Sequence, residues 1–226
     1  MRTIFALLLL CSIICQAQDA GTVRCRFLSL QSVEAPPDLI NLSAKGVQVP
    51  CKVPVNKLSE ETVFFTKGGT IPFLFASDQK PAATAKIPAN LKSAILVFLP
   101  KPKETAGLPW RIFVIDDSAK NFPFGGALVA NLHRGDIAFT VGEHKIKLHP
   151  GTSHGLARPT VLDDFNMAPV SFQFQQQDTW RIASESKLRF VPAIRYLIFA
   201  YLDPSSGRPR LSTLQDFKPL PAPKVN

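Results

Sequence analysis

Gly151-Thr152-Ser153-His154-Gly155 has the G-x-S-x-G spacing of a hydrolase nucleophile elbow. Such an elbow needs a strand before it and a helix after it, so that the serine is thrust clear of the backbone. Ala157-Arg158-Pro159 follows here and is poor material for a helix start. The elbow also takes its base from a histidine further along the chain, and none lies beyond His154. Ser184-Glu185-Ser186-Lys187 matches the acylating S-x-x-K pattern, but its S-D-N and K-T-G companions are missing. Neither motif is expected to be catalytic.

All four histidines, His133, His144, His149 and His154, fall within one short stretch. Imidazole is a frequent transition-metal ligand, so these are the candidate metal ligands. On a strand, however, His144 and His149 differ in parity and point to opposite faces. No cysteine or carboxylate completes an obvious set, although Asp136 and Glu143 are near in sequence. The plainer expectation is solvated histidines at strand ends, with no metal and no cofactor. Glu60-Glu61, Asp116-Asp117 and Asp163-Asp164 are paired carboxylates. A glycosidase needs two carboxyls facing across a cleft, which adjacency does not supply. Arg134-Gly135-Asp136 spells an adhesion tripeptide that serves equally well as a polar turn, and Asn41-Leu42-Ser43 is a glycosylation sequon.

The elements that must position these groups are short β-rich runs separated by Pro, Gly and Asn/Asp. Val23, Cys25 and Phe27 alternate onto one face of an opening strand. Residues 38–42 and 46–55 read as strands joined at Ala44-Lys45-Gly46. Residues 62–66 and 71–76 flank Gly68-Gly69 as a hairpin, 77–90 reads as a loop, and 93–99 is a continuous apolar strand. Lys101 to Gly107 reads as a turn or linker, and 110–116 as another strand. Residues 136–141 and 144–148 form the clearest hairpin, across Gly142-Glu143. Later strands are expected at 170–174, 187–191, 194–202 and 210–214. No segment has the period of a long amphipathic helix. The expected fold is therefore all-β: two small Ig-like β-sandwich modules, or one large sandwich. Ile40-Asn41-Leu42 and Ala130-Asn131-Leu132 each precede a Gly-containing hairpin, a faint echo that favours two modules split near residue 103. The expected division is 18–103, 104–216 and a Pro-rich tail at 217–226.

Met1-Arg2-Thr3, the apolar run from Ile4 to Ile14 and the small residues around Ala17 form a secretory signal pattern over 1–17. The run is short for a membrane span. Ile14 precedes Cys15, where a lipoprotein signal wants a small residue, so periplasmic or extracellular export is expected ahead of lipid anchoring. Cleavage leaves two cysteines, Cys25 and Cys51. In an oxidising compartment they are expected to pair, contributing roughly 3 kcal/mol in the chain-entropy model.

The chain of 226 residues carries 26 Lys+Arg against 17 Asp+Glu, a formal net charge of +9, with 46% hydrophobic residues. That composition excludes wholesale disorder, and no later apolar run is long enough for a transmembrane helix. No Lys/Arg block or basic-aromatic stripe marks a nucleic-acid surface. Lys101, Lys103, Lys145, Lys147, Arg158, Arg208 and Arg210 are scattered, and would attract an anionic envelope polymer or lipid head group. The signal, Arg26-Phe27-Leu28, Pro37-Asp38-Leu39 and Val129-Ala130-Asn131-Leu132 together resemble the uncharacterised exported β-sandwich (Ig-like) proteins of bacterial cell envelopes. The resemblance implies a fold type and a compartment, not an activity. The expected function is non-enzymatic binding or scaffolding at the envelope, with an envelope protein or anionic polymer as partner. The alternative is an envelope hydrolase or metal-binding protein using the His133–His154 region.

Overall fold

Every regular element among residues 21–30, 34–101 and 105–218, the part described by the computed structural model, is a β-strand. The signal expected over 1–17 and most of the tail expected at 217–226 lie outside the described residues. The first eight strands are β1 (Gly21–Ser29), β2 (Leu39–Leu42), β3 (Gln48–Cys51), β4 (Thr62–Thr66), β5 (Thr70–Phe75), β6 (Pro81–Lys86), β7 (Ser93–Pro100) and β8 (Trp110–Asp116). The second eight are β9 (Ala127–Asn131), β10 (Ile137–Val141), β11 (His144–Leu148), β12 (Ser153–Leu156), β13 (Met167–Gln176), β14 (Thr179–Arg189), β15 (Ile194–Leu202) and β16 (Pro209–Phe217).

These strands form four sheets of four, ordered β4-β1-β7-β8, β3-β2-β5-β6, β12-β9-β15-β16 and β11-β10-β13-β14. Adding eight to each strand number turns the first two sheets into the last two. The rule extends to the parallel pairings of β1 with β7 and of β9 with β15. The order differs from the ABED and CFG sheets of a constant-type immunoglobulin domain. The repeat is thus one of topology, and the Asn-centred echo does not mark it. Asn41 lies on β2, whereas Asn131 ends β9, and these strands are not equivalent.

Three apolar layers fill the spaces between four sheets. Phe27, Phe64, Phe73 and Phe98 meet between the first two sheets, with ring centroids 5.3–6.0 Å apart and largely edge-to-face. Ile137, Phe139, Phe172 and Ile198 belong to the layer between the last two. The third layer joins the sandwiches. Leu28, Ile95 and Val97 come from the β1 sheet, and Leu128, Leu197 and Phe199 from the β9 sheet. Successive β7 residues therefore face different layers: Ala94, Leu96 and Phe98 one way, Ile95, Val97 and Leu99 the other. A strand buried on both faces needs an uninterrupted apolar sequence, which is what residues 93–99 supply.

Four sequence expectations change. β8 pairs with β7 along Ala94↔Asp116 to Pro100↔Trp110, so residues 110–116 belong to the first sandwich. The topological division falls between Asp116 and Ala127, not near residue 103. The expected hairpin is one pair long: Lys67 and Thr70 exchange both backbone hydrogen bonds around Gly68 and Gly69, both at positive φ, but β4 and β5 then part into facing sheets, and Phe64 meets Phe73 through the core. The expected loop at 77–90 contains β6, where Ala82, Ala83 and Ala85 are buried beside β5. β14 is far longer than expected and pairs with β13 through a turn in which Gln177 and Asp178 both have positive φ, as a type I′ turn requires.

One end of the layer between the sandwiches is closed by charge. Arg26 on β1 and Arg195 on β15 meet Asp117, just after β8, and Asp216 on β16. Arg26 grips Asp117 at 2.8 Å and Asp216 at 2.9 Å; Arg195 reaches Asp117 at 2.8 Å and Asp216 at 2.7 Å. Arg195 also donates to the Phe122 carbonyl at 2.6 Å, and its guanidinium lies over the rings of Phe122 and Phe124. Arg195 is 6% and Asp216 8% exposed, so these charges depend on one another. Burial pushes the Asp117 carboxyl above its usual range, against the pull of Arg26 and Arg195. Truncation to Arg195→Ala should lower the unfolding free energy by about 3–5 kcal/mol, read from denaturant melts, because it leaves two buried carboxylates to share the one guanidinium of Arg26 and frees the buried Phe122 carbonyl. Lys120→Ala, on an exposed turn, should stay within about 0.5 kcal/mol. A loss under about 1 kcal/mol for Arg195→Ala would contradict the quartet's burial.

Candidate functional site

At the opposite end the layer between the sandwiches opens. β1 and β7 run parallel to Leu30, Leu99 and Lys101; β8 begins at Trp110-Arg111; the loop after β9 brings Leu132, His133 and Arg134. These segments bound a cleft of about 580 Å³ and, continuous with it, a more apolar one of about 420 Å³. The two share Pro100, Lys101, Arg111, Leu132 and Arg134. Both volumes fall in the range of small-molecule sites.

The cleft's charge is one-sided. Among the described residues, no aspartate or glutamate lines it. Among the described residues, Lys101, Arg111 and Arg134 form no salt bridge. Leu132, Phe113 and Tyr201 are half-buried where the layer reaches the surface, so an apolar floor continues into a cationic rim.

Asn131 holds the loop that carries Arg134. Its buried amide donates to the carbonyls of Gly135 at 2.9 Å and Leu148 at 3.0 Å, and its oxygen accepts the His133 N–H at 2.8 Å. His133 Nδ1 in turn accepts the Gly135 N–H at 2.9 Å. The next residue but one faces elsewhere: Asp136 is bound by Lys147 Nζ and His149 Nδ1, each at 2.9 Å. Those bonds, Lys147 first, hold its carboxyl below the usual carboxylate range. Asp136 is thus engaged by Lys147 and His149, whereas Arg134 is exposed.

The four histidines do not converge. His133 lines the cleft, His149 follows β11 beside Asp136, His144 begins β11, and His154 is exposed on β12. The His144 Nε2 is buried, with Glu143 Oε1 at 3.7 Å. Glu143 itself accepts from the Thr160 N–H at 2.7 Å and its hydroxyl at 2.9 Å, and these backbone and side-chain bonds depress its pKa to about 2. Among the described residues, no group of three or more His, Cys, Asp or Glu is arranged to hold a metal.

Ser153 begins β12 and pairs with Ala130, on a strand rather than at a strand-to-helix elbow. The motif's glycines have packing reasons. Gly151 turns at φ +74, and Gly155 faces the Asn121 carbonyl so closely that no Cβ fits. Ser184 and Lys187 fall on opposite faces of β14, and Lys187 reaches Asp163 at 3.2 Å. Of the paired acids, Asp117 is committed to the buried quartet, Asp163 orders its own loop through the N–H groups of Phe165 and Met167, and Glu61 lies 3.7 Å from Arg24. Asn41 is buried and donates to the Pro72 carbonyl at 2.7 Å, so the folded chain does not offer it as a glycosylation acceptor.

Cys25 on β1 and Cys51 on β3 face the same apolar layer from opposite sheets. Both are buried free thiols, and burial pushes each up to about 12, with the neighbouring Cys51 adding to the effect on Cys25. Arg111 is the site residue that the sequence did not single out. The antiparallel pairing of β7 with β8 sets it beside Lys101, and the packing of the second sandwich brings Arg134 to the same cleft. No protein-family model matches the chain, and a search of curated proteins finds no match.

Proposed function

We propose that this is an exported, non-enzymatic β-sandwich protein that binds an anionic component of the cell envelope in the cleft between its sandwiches. The observation that carries this reading is the contrast between the two ends of the shared layer. At one end both arginines face carboxylates within 3 Å; at the other, three cations line a cleft with no carboxylate among the described residues that bound it. Unneutralised like charges repel, and a bound anion relieves that repulsion. The overall charge of +9 adds a favourable long-range field. The dispersed histidines and the strand setting of Ser153 support a binding role over hydrolysis.

Export is supported by the signal pattern at 1–17 and by the opposed cysteines. In an oxidising compartment Cys25 and Cys51 join across the first sandwich as a cross-sheet disulfide. Thiol titration of the exported protein in denaturant without reductant should find no free thiol. Two free thiols would contradict both the bridge and the compartment.

Mature protein mixed with purified envelope material should co-sediment at low salt and be released at about 0.5 M salt, where screening is strong. Lys101→Glu/Arg111→Glu should abolish sedimentation at low salt without changing the melting temperature. Binding indifferent to both salt and charge reversal would contradict the cleft as the contact surface.

A further inference from the structure

We propose that the ligand of this cleft is a single-chain anionic amphiphile, with its phosphate or carboxylate head on the cationic rim and its apolar chain along the floor. The inference rests on the reading of the cleft as an anion site and adds the chemistry of the rest of the ligand. A site for a bare anion or a hydrophilic polyanion would be polar throughout. Here the part of about 420 Å³ is bounded chiefly by Leu30, Leu99, Leu132, Tyr201 and Leu202, with Lys101, Arg111 and Arg134 along its rim. Leu30 and Leu99 are buried members of the layer between the sandwiches, so the floor is an end of the hydrophobic core that the described residues leave open. Leu132, Tyr201 and Leu202 are left half-exposed at its mouth.

Two physical terms then favour the same ligand. Each methylene removed from water against this floor adds to the affinity. A negative head satisfies guanidinium and ammonium donors that have no carboxylate partner among the described residues, through short charge-assisted hydrogen bonds. Neither term alone selects strongly. A neutral chain leaves the cations unpaired, and a bare anion leaves the floor wet. The quartet shows the opposite solution at the other end of the layer, where the cations over the apolar surface are matched by carboxylates of the chain itself.

Calorimetry on the mature protein, below the concentration at which micelles form, separates the contributions. Decyl phosphate and decanoate represent the two head groups, inorganic phosphate the head alone, decyl maltoside the chain alone, and polyphosphate an anionic polymer without a chain. Decyl phosphate or decanoate should bind saturably at one site, at least about tenfold tighter than phosphate or decyl maltoside. Arg111→Glu/Arg134→Glu and, separately, Leu202→Ser should each weaken it at least about tenfold. The melting temperatures of the variants verify that they fold. Polyphosphate binding as tightly as decyl phosphate would overturn the amphiphile and leave the anion-binding reading standing. Decyl maltoside binding equally well would overturn the role of the charged head. Absence of binding by every anion would overturn both readings together.

Discussion

The structure depends on the burial of both faces of its central strands. β1, β7, β9 and β15 each present one set of side chains to the interior of their own sandwich and the alternate set to the layer between sandwiches. With each large apolar side chain contributing roughly 1.5–3 kcal/mol on burial, the shared layer is a core in its own right rather than a domain contact. It fixes how the sandwiches meet, and therefore which strand ends come together. The cleft follows from that geometry: Lys101, just after β7, and Arg111, on its paired strand β8, come from the first sandwich, and Arg134 from the loop after β9 of the second.

The two ends of this layer are finished differently, and the difference has a physical logic. Where the sheets close on Arg26 and Arg195, the guanidiniums are dehydrated, so paired carboxylates and the Phe122 carbonyl are needed to satisfy them. Where the layer opens, the cations keep access to water and need no such partner. A cation left exposed beside uncovered leucine and tyrosine is stable in solution, yet it remains available to a ligand that is both charged and apolar.

Much of the architecture was legible before the coordinates. Residues 93–99 read as a strand by being apolar throughout, a run that burial on both faces explains, and the Gly142-Glu143 hairpin formed with Phe139 opposite Ile146 as alternation required. Misreadings came where pairing overrode local pattern. β14 is polar and exposed along most of its length; it is a strand because β13 offers it a ladder, and a Gln-Asp turn closes the hairpin without an Asn-Gly signal. β6 is an alanine run whose small side chains suit its position beside β5, although alanine has little strand preference. The glycine pair at 68–69 does turn the chain, but from one sheet to the facing one. The site was less legible still. Lys101 was visible as a scattered charge and Arg134 within a tripeptide, while Arg111 carried no signal; it meets Lys101 through the β7–β8 register, and both meet Arg134 only through packing between the sandwiches.

The fixed seating of one sandwich on the other is the claim from which the preformed cleft follows. Amide hydrogen exchange along β1, β7, β9 and β15 tests it most directly, because locally opening units exchange at their own free energies. If the shared layer is one core, amides of β7 and β15 will exchange at a common free energy equal to that of global unfolding. Exchange from either sandwich at a distinctly lower free energy, with the other still protected, would mean that the two halves open independently and that the cleft is not a built site.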